Sequence, residues 1–76
     1  MREYLKTMRK NRNVSQKTVA DAIGCYQSYY SEIENGVKQQ DMAFSMMRRL
    51  AAAFQVPVQA IIDAEAAYMR EQKDSA

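Results

Sequence analysis

Apolar residues recur every three or four positions along most of the chain, which is the spacing of one face of an α-helix. Five segments carry this pattern, each bounded by residue types that start or stop helices. The first is predicted from about Arg2 to Arg12, with Leu5 and Met8 facing inward and its lysines and arginines facing outward. The chain is therefore predicted to be all-α.

The second predicted helix has a clear start and a clear stop. Ser15 suits an N-cap, since its hydroxyl can accept a hydrogen bond from the free amides of the first turn. Gly24 suits a C-terminal stop, because glycine adopts the left-handed backbone conformation at least cost. The apolar stripe between them consists of Val19, Ala20 and Ile23.

The third predicted helix follows that glycine directly, beginning near residue 26 or 27 and ending at Asn35 and Gly36. Tyr30 and Ile33 are three positions apart and should both point into the core. The same period leaves polar side chains on the outward face: Gln27, Ser28, Ser31 and Glu32. Two short helices hinged at a glycine, with one face of the second left free, suit entry into the major groove of DNA.

The last two predicted helices are separated from the third by a loop over residues 37–40. Asp41 is predicted to cap the fourth helix, and Pro57 to open the fifth, since proline is tolerated in a first turn. In the fourth helix the helical period is kept by Phe44, Met47, Leu50, Ala51 and Phe54. One side of the fifth is marked by Val58, Ile61, Ile62, Glu65 and Tyr68 or Met69, with fraying expected from about Gln72.

Composition narrows the class of protein. The 76 residues are predicted to form one domain, 1–76, and Cys25 is the only cysteine in a chain without histidine. An internal disulfide is thereby excluded, and neither a metal site nor a cofactor is expected. Cys25 is predicted to be a packed thiol rather than a redox sensor. No start of signal-peptide type and no apolar run of membrane length is present, so a cytoplasmic location is predicted.

The net charge of +2 is unevenly distributed. Residues 1–40 carry seven basic and four acidic side chains, a balance of +3, and residues 41–76 carry four basic and five acidic ones, a balance of −1. The positive half contains the hinged pair of helices, which is compatible with a polyanionic partner, although such a bias also occurs on ordinary solvated surfaces.

The residues of this region resemble the phage-repressor family of helix-turn-helix proteins (Cro/Xre-type, lambda-repressor-like), over about residues 4–62. A serine-glutamine start of the second helix, an alanine four residues later, the hinge glycine and a glutamate-asparagine-glycine close make the pattern specific. The positions that carry the resemblance are Leu5, Lys6, Arg9, Ser15, Gln16, Ala20, Gly24, Gln27, Ser28, Tyr30, Ser31, Ile33, Glu34, Asn35, Gly36, Leu50, Ala51, Phe54 and Val56.

The resemblance implies a compact five-helix domain that binds double-stranded DNA with its third helix in the major groove. Arg9 and Glu34 match a pair that joins the first helix to the end of the third. Gln16 matches a residue that contacts phosphate and braces the first reading residue, here Gln27. The base-reading positions are Gln27, Ser28, Ser31 and Glu32, and the candidates for backbone contact are Gln16, Lys17, Tyr26, Tyr29 and Lys38.

Several features depart from the family pattern. Glu32 is acidic where a neutral or basic residue is common, so it acts either as a discriminator that accepts from cytosine or as a sign of weakened DNA binding. Tyr26 replaces a small capping residue, and the connection Val37–Ala43 is about two residues longer than usual. The fifth helix also continues past the usual end, and residues 63–76 are predicted to be this extension and a frayed tail.

Two functions remain open on these grounds. The first is a sequence-specific transcriptional regulator, a repressor acting as a homodimer through Ile62, Tyr68 and Met69 on a near-palindromic operator. The second is an antitoxin-like protein-interaction module whose DNA binding is autoregulatory. An enzyme is not expected, because the chain offers no histidine, no phosphate-cradling glycine loop and no evident carboxylate pair. Neither a membrane nor a small-molecule ligand is expected as a partner.

Overall fold

A computed structural model describes the backbone of residues 1–74 and the side chains of residues 1–73. Within that range the chain forms five helices and no strand, which confirms the predicted all-α class. The helices are α1 (Glu3–Asn11), α2 (Gln16–Ile23), α3 (Gln27–Glu34), α4 (Phe44–Phe54) and α5 (Val58–Asp74). Helix α1 is one residue shorter at each end than predicted, a difference within the usual uncertainty of helix boundaries.

The helices enclose one apolar core. Helix α2 packs against α3 and α4, α4 also packs against α5, and α1 contacts α3. The predicted inward positions of α2 and α3 are confirmed, and Leu5 of α1 is buried as predicted. The buried hydrophobic residues are Leu5, Val19, Ala20, Ile23, Tyr30, Ile33, Met42, Met46, Leu50, Ala51, Phe54 and Ile61.

The local signals around α2 are confirmed. The Thr18 amide donates to Ser15 Oγ at 3.1 Å, so Ser15 is the N-cap. Gly24 ends the helix in the left-handed conformation, with φ of 82°. The N-cap residue of α3 is Tyr26, which makes no side-chain cap hydrogen bond.

The start of α4 differs from the prediction. Asp41 lies three residues before Phe44, too early to cap the helix, and the N-cap position is Ala43. The Ala43 amide instead donates to Gln39 Oε1 at 3.1 Å, so the preceding loop supplies the acceptor. Phe44 keeps the helical period of the buried residues, but it is 56% exposed because it lies at the edge of the buried arc, and Met46 lies inside instead.

The position of the Arg2 side chain differs most from the prediction. Arg2 was predicted to face outward, yet its side chain is fully buried. Its guanidinium donates to Glu65 twice, from Nε at 2.8 Å and from Nη2 at 3.0 Å. It also donates to the carbonyls of Ile33, Lys38 and Gln39, so all five N–H groups are used. A buried arginine is stable only in such a setting, because an unpaired buried charge is very costly.

Helix α5 supplies the partners of Arg2. Besides Glu65, the ring of Tyr68 lies 5.1 Å from the Arg2 guanidinium carbon. The Tyr4 hydroxyl donates to Glu65 Oε1 at 2.6 Å, and burial, together with this hydrogen bond, raises the pKa of Tyr4. The predicted extension of the fifth helix is therefore present, and its first turns belong to the interior.

The helix continues past the predicted fraying point at Gln72 as far as Asp74, and the last two residues of the predicted tail lie outside the described residues. None of the helices in the described range combines the length and apolar character needed to cross a membrane.

Candidate nucleic-acid interface

Helices α2 and α3 meet at a three-residue turn, residues 24–26. The amides of Gly24 and Cys25 both donate to the carbonyl of Ala20, at 2.9 and 3.0 Å, which closes the end of α2. Cys25 then packs against the core, and burial raises the pKa of its thiol. These hydrogen bonds and the packing of Cys25 fix the turn, and with it the direction of α3 relative to α2.

Helix α3 has a buried side and an exposed side. Tyr30, Ile33 and Glu34 lie inside, and the side chains of Gln27 and Ser28 at its N-terminal end are exposed. Of the other two predicted reading residues, Ser31 and Glu32 are half-buried. The structure thus leaves the first turn of α3 open to a ligand and places Ser31 and Glu32 farther along its flank.

Glu34 connects three helices. Arg9 Nε lies 2.7 Å from Glu34 Oε2, and Gln16 Nε2 donates to Glu34 Oε1 at 3.2 Å. Burial raises the pKa of Glu34, but the polar groups around its carboxylate, Arg9 foremost, outweigh it, so the net shift is downward. In this structure the Gln16 amide therefore braces the end of α3, and its bracing of Gln27 stays a prediction.

The Tyr30 hydroxyl lies close to the same carboxylate, outside hydrogen-bond geometry, and its oxygen has no hydrogen-bond partner among the described residues. Desolvation of this buried hydroxyl raises the pKa of Tyr30. Tyr30 is therefore a core residue whose ring packs on the inner side of α3, as its spacing from Ile33 predicted.

The two lysines predicted to contact the DNA backbone each have an acidic neighbour. Lys17 Nζ lies 3.0 Å from Asp21 Oδ2 on the open surface of α2. Lys38 Nζ lies 3.9 Å from Glu32 Oε2, with both side chains about half exposed. Such surface pairs contribute little to stability, so both lysines are free to exchange a carboxylate for a phosphate.

The two tyrosines predicted to contact the DNA backbone lie in different environments. Tyr26 is 85% exposed at the start of α3. Tyr29 is half-buried against the core, and its hydroxyl accepts a hydrogen bond from Gln39 Nε2 at 3.0 Å. Tyr26 is thus a free surface group, whereas Tyr29 is linked to the loop between α3 and α4.

Sequence reasoning missed Arg2 and Gln39, which hold that loop. Gln39 adopts a positive φ of 57°, an uncommon conformation for a residue other than glycine. One signal for Arg2 was available, because it precedes the buried Leu5 by three positions and so shares its face of α1. No pattern within the sequence pointed to Glu65 as its partner.

A tight turn between two short helices, with the second helix anchored by its inner side and open at its N-terminal turn, defines the helix-turn-helix class of DNA-binding domain. The sequence model of the family described as "Helix-turn-helix" matches residues 5–61, and the chain belongs to this family of the Cro/C1 type. Neither the curated proteins nor the solved structures yielded a match. The family is one of DNA-binding regulators and not of enzymes.

Proposed function

We propose that the protein is a sequence-specific regulator of transcription, a repressor that binds a near-palindromic operator as a homodimer. The observation that carries the proposal is the pairing of an anchored inner side of α3 with exposed Gln27 and Ser28 on its first turn. A repressor needs little more than such a domain, because occupying a promoter is sufficient to block it.

The chemistry of base reading fits these side chains. Glutamine can bond bidentately to adenine, and serine can donate to or accept from either kind of base pair. The free amides at the start of α2, next to Gln16 and Lys17, suit a phosphate. Glu32 would accept from a cytosine amine, and its pairing with Lys38 lessens its repulsion of nearby phosphates.

The homodimer is proposed through the outer side of α5. Met69 is 42% exposed and Ile62 is half-buried, so apolar surface remains there after the core is formed. Tyr68, the third residue proposed for this surface, also contacts Arg2 and is thus shared with the interior. A twofold dimer would place the two recognition helices about 34 Å apart, one turn of DNA.

Selection from random double-stranded DNA tests the proposal, because it yields the half-site and the spacing of half-sites together. On the selected site, Gln27→Ala should weaken binding by about 1–3 kcal/mol while leaving binding to unrelated DNA nearly unchanged. Gln59→Ala is the matched control, since Gln59 is an exposed glutamine on α5 that donates to Asp63 of the same helix.

An equal loss on specific and unrelated DNA would show that Gln27 reads no base. Failure to enrich any sequence would refute sequence-specific regulation. Enrichment of single half-sites, without a fixed spacing, would refute the twofold dimer and leave the reading of bases intact.

A further inference from the structure

Arg2 belongs to a polar cluster that lies outside the segment matched by the family. Arg2, Tyr4, Glu65 and Tyr68, which we call the Arg2 cluster, all fall outside residues 5–61. Glu65 accepts from both Arg2 and Tyr4, and Tyr68 stacks on the guanidinium. The family match therefore assigns no role to these four residues.

The cluster holds the end of α3 and the loop that follows it. The Arg2 guanidinium donates to the Ile33 carbonyl at 2.7 Å and to the Lys38 carbonyl at 3.0 Å, and it also donates to the carbonyl of Gln39. The main-chain amide of Arg2 donates to the Glu34 carbonyl at 2.6 Å. Arg2 thus supplies the hydrogen-bond donors for carbonyls that the end of a helix leaves unpaired.

The same loop residues touch the DNA-facing helix through their side chains. Lys38 Nζ lies 3.9 Å from Glu32, and Gln39 Nε2 donates to the Tyr29 hydroxyl at 3.0 Å. The amides of Val37 and Lys38 also donate to the Glu32 carbonyl, at 2.8 and 3.2 Å. A continuous chain of contacts therefore runs from Glu65 on α5, through Arg2 and the loop, to Glu32 and Tyr29 on α3.

We propose that Arg2 is a positioning residue for DNA binding, which with Glu65 holds the loop so that Lys38 can contact a phosphate beside α3. The proposal rests on the proposed function. Stability alone does not require the ion pair, because buried ion pairs are often replaced by apolar residues without loss. An apolar pair cannot donate to three carbonyls, and carbonyls of a surface loop would turn toward water and move Lys38 with them.

The test compares the wild type with the double variant Arg2→Met, Glu65→Met, which leaves the net charge unchanged. We expect the variant to unfold cooperatively with unchanged helix content. In binding to the selected operator, its slope of log affinity against log salt should be smaller by about 0.9, the contribution of one phosphate contact.

Lys38→Ala is then measured in both backgrounds. In the wild type it should lower the same slope by about 0.9, and in the double variant it should change nothing further, because the contact is already lost. Equal effects of Lys38→Ala in the two backgrounds, or no effect in the wild type, would overturn the proposal. Asp63→Asn with Arg70→Gln is the matched control, since it removes one exposed charge of each sign from α5.

Amide hydrogen exchange gives a readout without DNA. Protection of the Val37, Lys38 and Ala43 amides should fall in the double variant, while that of the core amides of α2 and α4 stays unchanged. Normal protection at these three amides would overturn the positioning network even where the wild type binds DNA. Absence of DNA binding by the wild type would instead refute the proposed function, and with it this role of Arg2.

Arg2→Lys keeps the proposal testable should the double variant not fold. Lysine retains the charge opposite Glu65 but has three donors in place of five. Loss of protection at the loop amides with retained helix content is the expected result. Wild-type protection together with a wild-type salt slope would show that the extra donors of arginine do not position the loop.

Discussion

At the scale of single residues, Glu34 is the side chain on which the orientation of α3 most depends. Its side chain is 4% exposed, and its carboxylate accepts from Arg9 on α1 and from Gln16 on α2. A buried carboxylate is tolerable only with such partners, and removing one member of a buried pair leaves an uncompensated charge. Glu34 thus ties α3 to both helices that precede it.

The lowered pKa of Glu34 makes its contribution depend on pH. We expect Glu34→Gln to lower the free energy of unfolding by about 3 kcal/mol at neutral pH. Because the folded pKa lies below the unfolded value of about 4.3, this contribution is fully present above the unfolded pKa and is lost as the pH falls through the folded pKa. Denaturant unfolding at a series of pH values measures the difference between the variant and the wild type.

Glu3→Gln is the control for that series, since Glu3 is exposed in the first turn of α1. It should show a small difference from the wild type at every pH. A difference for Glu34→Gln that stays constant down to pH values well below about 4 would contradict the assigned role of its charge.

At the scale of elements, the two helices of the hinged pair end on glycine in different surroundings. Gly24 and Gly36 have the same φ of 82°, and a Cβ at Gly24 would meet no atom within 4 Å. A Cβ at Gly36 would lie 2.4 Å from the Tyr68 hydroxyl oxygen. The next nearest atom, the ring carbon that bears this hydroxyl, would lie 3.7 Å from the Cβ. Conformation alone requires glycine at the first position, whereas close approach of α5 adds to that requirement at the second.

These surroundings predict different costs of adding a methyl group. Gly24→Ala should destabilise by about 1–2 kcal/mol, the cost of the left-handed conformation. Gly36→Ala should cost more, because the methyl group also displaces Tyr68 from the Arg2 guanidinium. Denaturant unfolding of both variants, in the wild type and with Tyr68→Phe, separates the two contributions.

In the Tyr68→Phe background the excess cost of Gly36→Ala over Gly24→Ala should largely disappear, since the clashing oxygen is gone. The phenylalanine ring can still stack on Arg2. An excess that persists undiminished would mean that the strain at Gly36 does not come from the contact with α5.

At the scale of the whole molecule, α5 serves two surfaces. Glu65 is buried against Arg2, while Met69, one turn further on, is 42% exposed. Truncation after Ile62 would therefore remove more than apolar surface, because Arg2 would keep its charge and lose its carboxylate. The extension is as much a part of the interior as it is a candidate dimer surface.

Two variants distinguish these roles. Met69→Glu should weaken self-association, measured by sedimentation, and leave the unfolding of the dilute monomer nearly unchanged, since an exposed residue contributes little there. Truncation after Ile62 should destabilise the monomer itself, by about 3–5 kcal/mol for the broken ion pair. Unchanged sedimentation of Met69→Glu would refute the proposed dimer surface, and a stable truncated monomer would refute the role given to Glu65.

The sequence by itself determined the five helices, the hinge at Gly24 and the inward positions of α2 and α3. These depend on the 3.6-residue period and on caps such as Ser15, which act between residues within one or two turns. The family resemblance, likewise carried by local motifs, extended this to the recognition helix. The capping rule was ambiguous at Asp41, and the predicted cap of α4 there was wrong, because the N-cap residue is Ala43.

Only the tertiary structure decided where the charges of Arg2 and Glu65 lie. The two residues are 63 positions apart, and no periodicity relates residues so distant. Whether an arginine next to an apolar stripe faces water or the interior depends on what the rest of the fold offers it. Here the interior position of Arg2 is stabilised by a carboxylate on α5 and by three carbonyls of α3 and the loop that follows it. Together these groups accept a hydrogen bond from every donor of the guanidinium.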